Sequence, residues 1–178
     1  MKPIFLIGYM GSGKSTLGRA LGRATGMTFI DLDNYIETRY HSNIRDIFAR
    51  SGEQAFRDME RRMLDEVSQF EDVIVACGGG TPCFGDNMDL MLGRGTTVFL
   101  RASHDRLLQR LKAGRARRPL IAALDDAALD SHTTAALAAR MPHYSRALHT
   151  FDSDRLDSRD QIDRTVDLFI HQFNLPSA

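Results

Sequence analysis

Five short apolar segments alternate along the chain with longer stretches in which apolar residues recur every three or four positions. The segments are rich in β-branched and aromatic residues, so each of them predicts a β-strand. They comprise residues 4–7, 28–30, 73–76, 97–100 and, with a weaker pattern, 149–151.

The stretches between these segments carry the spacing of amphipathic helices with one buried face. Two of them place apolar residues at Leu17, Ala20, Leu21 and Ala24, and at Phe56, Met59, Met63 and Val67. Strands that are apolar throughout and alternate with helices are typical of a parallel sheet covered on both sides. The sequence therefore predicts the α/β class, as a three-layer parallel five-stranded sheet with helices on both faces. In such sheets the active site lies at the carboxyl ends of the strands.

Residues 112–134 break this alternation, because they show no strand pattern and only poor helical periodicity. The segment opens with Lys112, Arg115, Arg117 and Arg118 and continues through Pro119 into a stretch rich in Ala and Asp. Both a solvated surface loop and a mobile lid are compatible with this composition. Long irregular loops in compact domains are often functional, so we favour a mobile lid.

Length and composition narrow the class of protein further. The 178 residues, 43% of them apolar, suffice for one well-buried core, so we expect a single domain over residues 1–178. Lys and Arg together number 23, as do Asp and Glu, and zero net charge argues against a general nucleic-acid or membrane-surface binder. Cys77 and Cys83 lack the spacing of a zinc site or a disulfide framework, and the first apolar run is too short for a signal peptide. We expect a cytoplasmic protein.

The first predicted strand leads directly into a phosphate-binding motif. Gly8, Gly13, Lys14 and Ser15 satisfy G-x-x-x-x-G-K-[ST], and an amphipathic helix follows. In this context a glycine-rich turn without a ligand is strongly disfavoured. The backbone N–H groups would hold the phosphates of ATP, Lys14 would reach the β- and γ-phosphates, and Ser15 would ligate Mg²⁺ directly. The P-loop spans residues 8–16, and its candidate ATP-binding residues are Gly11, Ser12, Gly13, Lys14, Ser15 and Thr16.

Two aspartates and three glycines follow the second and third predicted strands. Asp31 and Asp33 come directly after residues 28–30; if they stay extended, one carboxylate faces the metal and the other faces a second substrate. A helix cap is the alternative for this pair. The third predicted strand ends in Cys77 and the glycines 78–80, which admit another molecule close to the backbone. The triple glycine favours the interpretation as a site.

Arg57 and Glu60 open the longest amphipathic stretch, at a spacing that places them on one helix face. This spacing favours a surface ion pair of small energetic value. The alternative is that Glu60 holds Arg57 for bidentate binding of a substrate carboxylate.

The ordered set of motifs resembles the shikimate kinase family over nearly the whole chain. The segments that carry the resemblance are "GYMGSGKSTLGRALG", "FIDLD", "GEQAFRDME", "ACGGG", "RRPL" and "RMPHY". The resemblance implies a nucleoside-monophosphate-kinase-like P-loop fold with a lid insertion at about 112–134 and a substrate-binding region at about 31–61. It also implies ATP-dependent phosphorylation of the 3-hydroxyl of shikimate, a step of chorismate and aromatic amino-acid biosynthesis.

On the acceptor side, the resemblance implies a role for five residues. Asp33 would bind the ring hydroxyls and either orient the attacking one or accept its proton. Arg57 and Arg140 would hold the shikimate carboxylate, and Gly79 and Gly80 would close over the ring.

On the nucleotide side, Asp31 would lie in the outer shell of Mg²⁺ and Arg110 would stack on adenine. Arg118 would contact the transferring phosphoryl group, although its choice over Arg115 and Arg117 rests only on the following Pro119 and Leu120. Arg155 is a further candidate ATP contact, in a loop at 152–158 that lacks the proline often found beside adenine in this family.

Two other functions stay open on these residues. A kinase for another carboxylated polyol, such as gluconate, would also need Arg57 and Arg140. An ATP-binding regulatory or scaffolding module would be expected to have lost Lys14, Asp33 or the lid arginines, and all are present. The expected ligands are ATP, shikimate and Mg²⁺, without nucleic acid or membrane, and the expected state is a monomer.

Overall fold

The computed structural model describes residues 1–118 and 120–176, with Arg117 described by its backbone alone. Pro119, on which the choice among the lid arginines depends, lies outside the described residues, as do the last two residues of the expected domain, 177–178. All five predicted strands are present: β1 (Ile4–Ile7), β2 (Thr28–Asp31), β3 (Val73–Ala76), β4 (Thr96–Arg101) and β5 (His149–Asp152). They form one parallel sheet in the order β2-β3-β1-β4-β5. The prediction of a parallel five-stranded sheet is confirmed.

The register of the sheet brings the carboxyl ends of three strands together. Ala76 of β3 pairs with Leu6 of β1 on one side and with Asp31 of β2 on the other. The loop that follows β1, the acidic end of β2 and the glycines after β3 therefore emerge side by side at one edge.

Helices cover both faces of the sheet, which gives the three predicted layers. The described residues form the α-helices α1 (Lys14–Thr25), α2 (Leu32–Tyr40), α3 (Ile44–Val67), α4 (Asn87–Arg94), α5 (His104–Ala113), α6 (Asp126–Tyr144) and α7 (Arg159–Phe173). Short 3₁₀ turns lie at Thr81–Cys83 and Arg115–Arg117. None of the helices in the described part of the chain is long and apolar enough to cross a membrane.

The central strand β1 divides the core into two halves. Phe5 and Ile7 pack on one face with buried residues of α2 to α6, whereas Ile4 and Leu6 pack on the other with α1 and α7. This alternation is what burial of a strand on both sides requires. The resulting rigid sheet supports the loops at its carboxyl edge.

Helix α3 is broken at Gly52, whose φ of 79° and ψ of 175° are not helical. This backbone region is accessible essentially to glycine alone. The break separates residues 44–51 from the part of α3 that carries Arg57 and Glu60.

The expectation of an irregular segment over 112–134 is wrong for its second half. Residues 126–134 belong to α6, which begins after Asp125, whose side chain accepts the Ala128 N–H at 2.8 Å. Leu129 and Thr133 are buried. The apolar pattern is weak because few positions of α6 face the core, while alanines and the cap favour the helix without it.

Candidate active site

A cleft of about 860 Å³ opens at the carboxyl edge of the sheet. Ten of the predicted site residues line it: Gly11, Gly13, Lys14, Ser15, Thr16, Asp31, Asp33, Gly79, Arg110 and Arg118. Five are not among its lining residues: Ser12, Arg57, Gly80, Arg140 and Arg155. The cleft therefore brings the P-loop, both aspartates, the glycine turn and one lid arginine to a common space.

The P-loop wraps around the Lys14 side chain. The Lys14 Nζ donates hydrogen bonds to the carbonyls of Gly8, at 2.8 Å, and Tyr9, at 3.0 Å, and its burial lowers the pKa of the ammonium to about 8. Gly13 precedes α1 with φ of 92°, and no side chain in the described ranges caps this helix. The N–H groups of the first turn are thus available to an anion, which the helix dipole also attracts.

Asp31 both lines the cleft and caps helix α2. One of its carboxylate oxygens accepts the Ser15 hydroxyl at 2.7 Å, and the other accepts the Asn34 N–H at 3.4 Å. The helix-cap interpretation of Asp31 is therefore confirmed, while its role beside a metal ion stays a prediction. The Ser15 hydroxyl and the Asp31 carboxylate form an oxygen-rich pair beside the P-loop, of the kind that suits Mg²⁺.

Asp33 lies in the first turn of α2, so residues 31–33 do not stay extended, and the condition for their carboxylates to point to opposite sides is not met. The chain turns because Asp31 caps α2 directly after the strand ends. Asp31 and Asp33 nevertheless both line the cleft. Burial, reinforced by the charges of Asp31 and Glu60, raises the pKa of Asp33 to about 6. Asp33 therefore ionises near the range in which a catalytic base is effective.

The ion pair between Arg57 and Glu60 is partly buried, so the prediction of a surface pair is wrong. The Glu60 side chain is 1% exposed and Arg57 is 17% exposed, and their N–O distance is 2.9 Å. The second Glu60 oxygen accepts the Thr81 hydroxyl at 2.6 Å. The Arg57 guanidinium also lies 3.6 Å from the ring centroid of Phe84. Glu60, Thr81 and Phe84 together fix the direction of the guanidinium, which favours the alternative interpretation of the pair.

Each glycine of the turn after β3 is packed against a different polar side chain. A Cβ atom would lie 3.0 Å from the Asp33 carboxylate at Gly78, 3.2 Å from the Arg140 guanidinium at Gly79 and 3.3 Å from the Arg57 guanidinium at Gly80. These separations leave no comfortable room for a side chain. The turn therefore lets one carboxylate and two guanidinium groups converge on the same stretch of backbone.

The lid arginines differ in where they point. Arg115 forms an ion pair with Asp126, which also pairs with Lys112 at 2.9 Å. Arg118 lines the cleft and donates to the Arg110 carbonyl at 3.4 Å. Arg118 is therefore better placed than Arg115 to contact a bound phosphate, while the Arg117 side chain lies outside the described residues.

Arg110 ties the P-loop to the loop after β5. Its guanidinium donates to the carbonyls of Gly11 at 3.2 Å, Ser153 at 3.0 Å and Asp154 at 2.8 Å, and it pairs with Asp157 at 2.7 Å. These hydrogen bonds lie along the edges of the guanidinium, so a stacking ligand would approach one of its faces. Arg155 in the same loop is exposed and lies outside the cleft lining.

Several residues of the site escaped the sequence interpretation. Leu156 and Asp157 line the cleft. The Tyr9 ring contacts the Arg140 guanidinium, and the Tyr144 hydroxyl donates to the Gly79 carbonyl. Tyr144 follows Arg140 by four residues in α6, and this spacing alone would have placed both on one helix face. No comparable pattern marks Asp157, because its partner Arg110 lies 47 residues earlier in the sequence.

Comparisons with known proteins agree with this geometry. The family model described as "Shikimate kinase" matches residues 10–169. A shikimate kinase from Phocaeicola vulgatus is 47% identical over 174 residues, which cover 98% of this chain and 99% of that protein. The crystal structure of shikimate kinase from Bacteroides thetaiotaomicron matches with a TM-score of 0.94 at 43% identity, covering 98% of this chain and 99% of that one.

The shikimate kinase from Acinetobacter baumannii, solved in complex with shikimate, matches with a TM-score of 0.83 at 28% identity. The match covers 98% of this chain and 94% of the Acinetobacter baumannii chain. The fold is accordingly the P-loop kinase fold. The chain belongs to the shikimate kinase family.

Proposed function

We propose that this chain transfers the γ-phosphoryl group of ATP to the 3-hydroxyl of shikimate, giving shikimate 3-phosphate and ADP. The observation that carries the proposal is that Lys14 and Asp33 line one cleft, next to a glycine turn contacted by Arg57 and Arg140. A phosphate donor and a carboxylated acceptor can thus meet between complementary groups. The family and the relative solved with shikimate support this choice of acceptor.

In this proposal the P-loop holds the nucleotide through the N–H groups before and within the first turn of α1, from Gly11 to Thr16. Lys14 leaves the carbonyls of Gly8 and Tyr9 and neutralises charge on the β- and γ-phosphates. Arg110 supports the P-loop through its hydrogen bond to the Gly11 carbonyl and offers a guanidinium face to adenine. Arg155 is assigned to the nucleotide only as a surface contact, since it is exposed.

The oxygen atoms near the P-loop fit a magnesium ion. The Ser15 hydroxyl donates a hydrogen bond to Asp31, so the lone pairs of the Ser15 oxygen stay free for a cation. Ser15 would hold the ion directly and Asp31 through water, because Mg²⁺ retains several waters in phosphate sites. A bound Mg²⁺ would neutralise charge on the phosphate oxygens during transfer.

Asp33 orients the acceptor hydroxyl and accepts its proton in the proposed mechanism. With a pKa of about 6, the carboxylate is ionised at pH 7 and is more basic than an ordinary aspartate. Much of the rate enhancement comes from holding the hydroxyl in line with the γ-phosphoryl group. The O–P bond to the acceptor forms as the bond to ADP breaks, and the proton ends on Asp33.

Arg57 and Arg140 bind the acceptor carboxylate from either side of the glycine turn, and Gly79 and Gly80 contact the ring. The Arg57 guanidinium is already oriented by Glu60, so little side-chain entropy is lost on binding. Arg118 contacts the transferring phosphoryl group when the lid, at about 112–134, closes and excludes water. The substrate-binding region at about 31–61 and this lid form parts of a single domain, which we propose acts as a cytoplasmic monomer.

A coupled assay of ADP release, run with shikimate, gluconate and nucleoside monophosphates in parallel, tests the proposal. Shikimate should stimulate ADP release far above the rate of ATP hydrolysis in its absence. Stimulation by gluconate or a nucleoside monophosphate, without stimulation by shikimate, would identify that compound as the acceptor. Stoichiometric ATP binding without turnover on any acceptor would indicate a regulatory or scaffolding module.

A further inference from the structure

Arg140 lies close to two buried tyrosines that come from different parts of the chain. The Tyr9 ring, in the P-loop, has its centroid 5.2 Å from the Arg140 Cζ. The Tyr144 hydroxyl, one turn after Arg140 in α6, donates a hydrogen bond of 2.5 Å to the Gly79 carbonyl. Tyr9 is 1% exposed and Tyr144 is fully buried, so both side chains have fixed positions.

Tyr144 fixes the orientation of the glycine turn. Burial raises the pKa of its hydroxyl, which therefore stays protonated and able to donate, and its ring stacks on Phe99 at 5.1 Å. The described chain contains no cis peptide bond, so the Gly80 N–H points away from the Gly79 carbonyl. Holding this carbonyl towards Tyr144 therefore also sets the direction of the Gly80 N–H.

Tyr9 connects the nucleotide side with the acceptor side. Its carbonyl accepts a hydrogen bond from Lys14, and its ring contacts Arg140. Gly79 lies beside the same junction, because a Cβ built there would be 3.5 Å from the Gly8 carbonyl oxygen and from the Met10 nitrogen. The P-loop, the glycine turn and α6 therefore meet around Arg140.

We propose that Tyr9 and Tyr144 are positioning residues, which hold Arg140 and the glycine turn at a fixed distance from the P-loop. Neither contacts the reacting atoms; they act through the groups that bind the acceptor. In-line transfer is sensitive to this distance, since a displacement of about 1 Å can lower the rate on the order of 100-fold. The inference rests on the proposed binding of the acceptor carboxylate by Arg140.

Tyr9→Leu tests the contribution of the aromatic ring. Loss of the cation–π contact should raise the shikimate KM about tenfold while the ATP KM stays nearly constant. Tyr9→Phe keeps the ring and should restore the wild-type shikimate KM. Phe169→Leu removes a comparable ring from the opposite face of the sheet and should lower stability without changing either KM.

Tyr144→Phe tests the hydroxyl while it preserves packing, and it decides the matter if Tyr9→Leu does not fold. The kcat/KM for shikimate should fall about tenfold, with an unchanged ATP KM, because the turn loses its fixed orientation. Thr25→Val is the matched control, since Thr25 is buried at the far end of α1 and donates to the Leu21 carbonyl at 2.7 Å. This variant should lose stability alone.

Arg140→Ala separates this inference from the proposed function. If Arg140→Ala leaves the shikimate KM unchanged, the assignment of Arg140 to the acceptor carboxylate is refuted, and with it the basis of this inference. If Arg140→Ala raises that KM but Tyr9→Leu and Tyr144→Phe behave like their controls, the positioning roles are refuted and the assignment stands. Equal losses in the shikimate and ATP parameters would also refute them, because they would indicate general disruption of the P-loop.

Discussion

Replacing Asp33 by Asn should make the free protein more stable at neutral pH while it abolishes most of the activity. The pKa of Asp33 is raised from 3.8 to about 6, mainly by burial. The folded chain therefore binds this proton more tightly than the unfolded chain does, and stability falls as the pH rises from 3.8 through about 6. At 1.36 kcal/mol per pKa unit, the charged carboxylate costs the folded state about 3 kcal/mol at pH 7. Asn removes this cost.

The measurement is urea unfolding of wild type and Asp33→Asn at pH 7.5 and pH 4. The free energies of unfolding should differ by about 1 to 3 kcal/mol at pH 7.5, and the difference should shrink at pH 4, where Asp33 is largely protonated. Asp167→Asn, on the exposed surface of α7, is the control and should change stability at pH 7.5 by less than about 0.5 kcal/mol. A difference that does not depend on pH, or an Asn variant that is less stable at pH 7.5, would refute the reasoning.

Three further predictions concern turnover. Lys14→Ala should stay folded and lose on the order of 100-fold in kcat, and near-normal turnover in a steady-state assay would contradict the P-loop assignment. Arg118→Ala should lower kcat more than it raises the shikimate KM, whereas Arg115→Ala should have a small effect because Arg115 is paired with Asp126; equal effects in parallel kinetics would reverse the choice. Arg57→Ala should raise the shikimate KM by about 10- to 100-fold with a smaller change in kcat, and an effect confined to kcat would argue against carboxylate binding.

The sheet and the P-loop could be predicted from the sequence because their information is local. A strand buried on both faces must be apolar throughout, and β3, covered on both sides, reads Val-Ile-Val-Ala. A phosphate loop needs its glycines and Lys14 at a fixed spacing. Each of these patterns can be recognised without knowledge of the tertiary structure.

The environment of the acceptor side could not be predicted, because distant residues determine it. The pair of Arg57 and Glu60 looks like a surface pair at its helical spacing. Only the tertiary structure shows that Glu60 is buried and that the pair contacts Thr81 and Phe84. The helical start of α6 has only a faint hydrophobic period, because few of its residues face the core. The roles of Tyr9 and Tyr144 depend on three chain segments meeting in space.

The glycine turn after β3 constrains how this enzyme could escape an inhibitor. A compound that packs against Gly78 and Gly79, which line the cleft, would contact backbone atoms, which substitution elsewhere cannot change chemically. A side chain introduced at any of residues 78–80 would press on Asp33, Arg140 or Arg57, each within 3.0 to 3.3 Å of the added Cβ. With the roles proposed for Asp33, Arg140 and Arg57, resistance through the glycine turn would therefore lower substrate binding or proton transfer, which makes the turn a favourable surface for durable inhibitors.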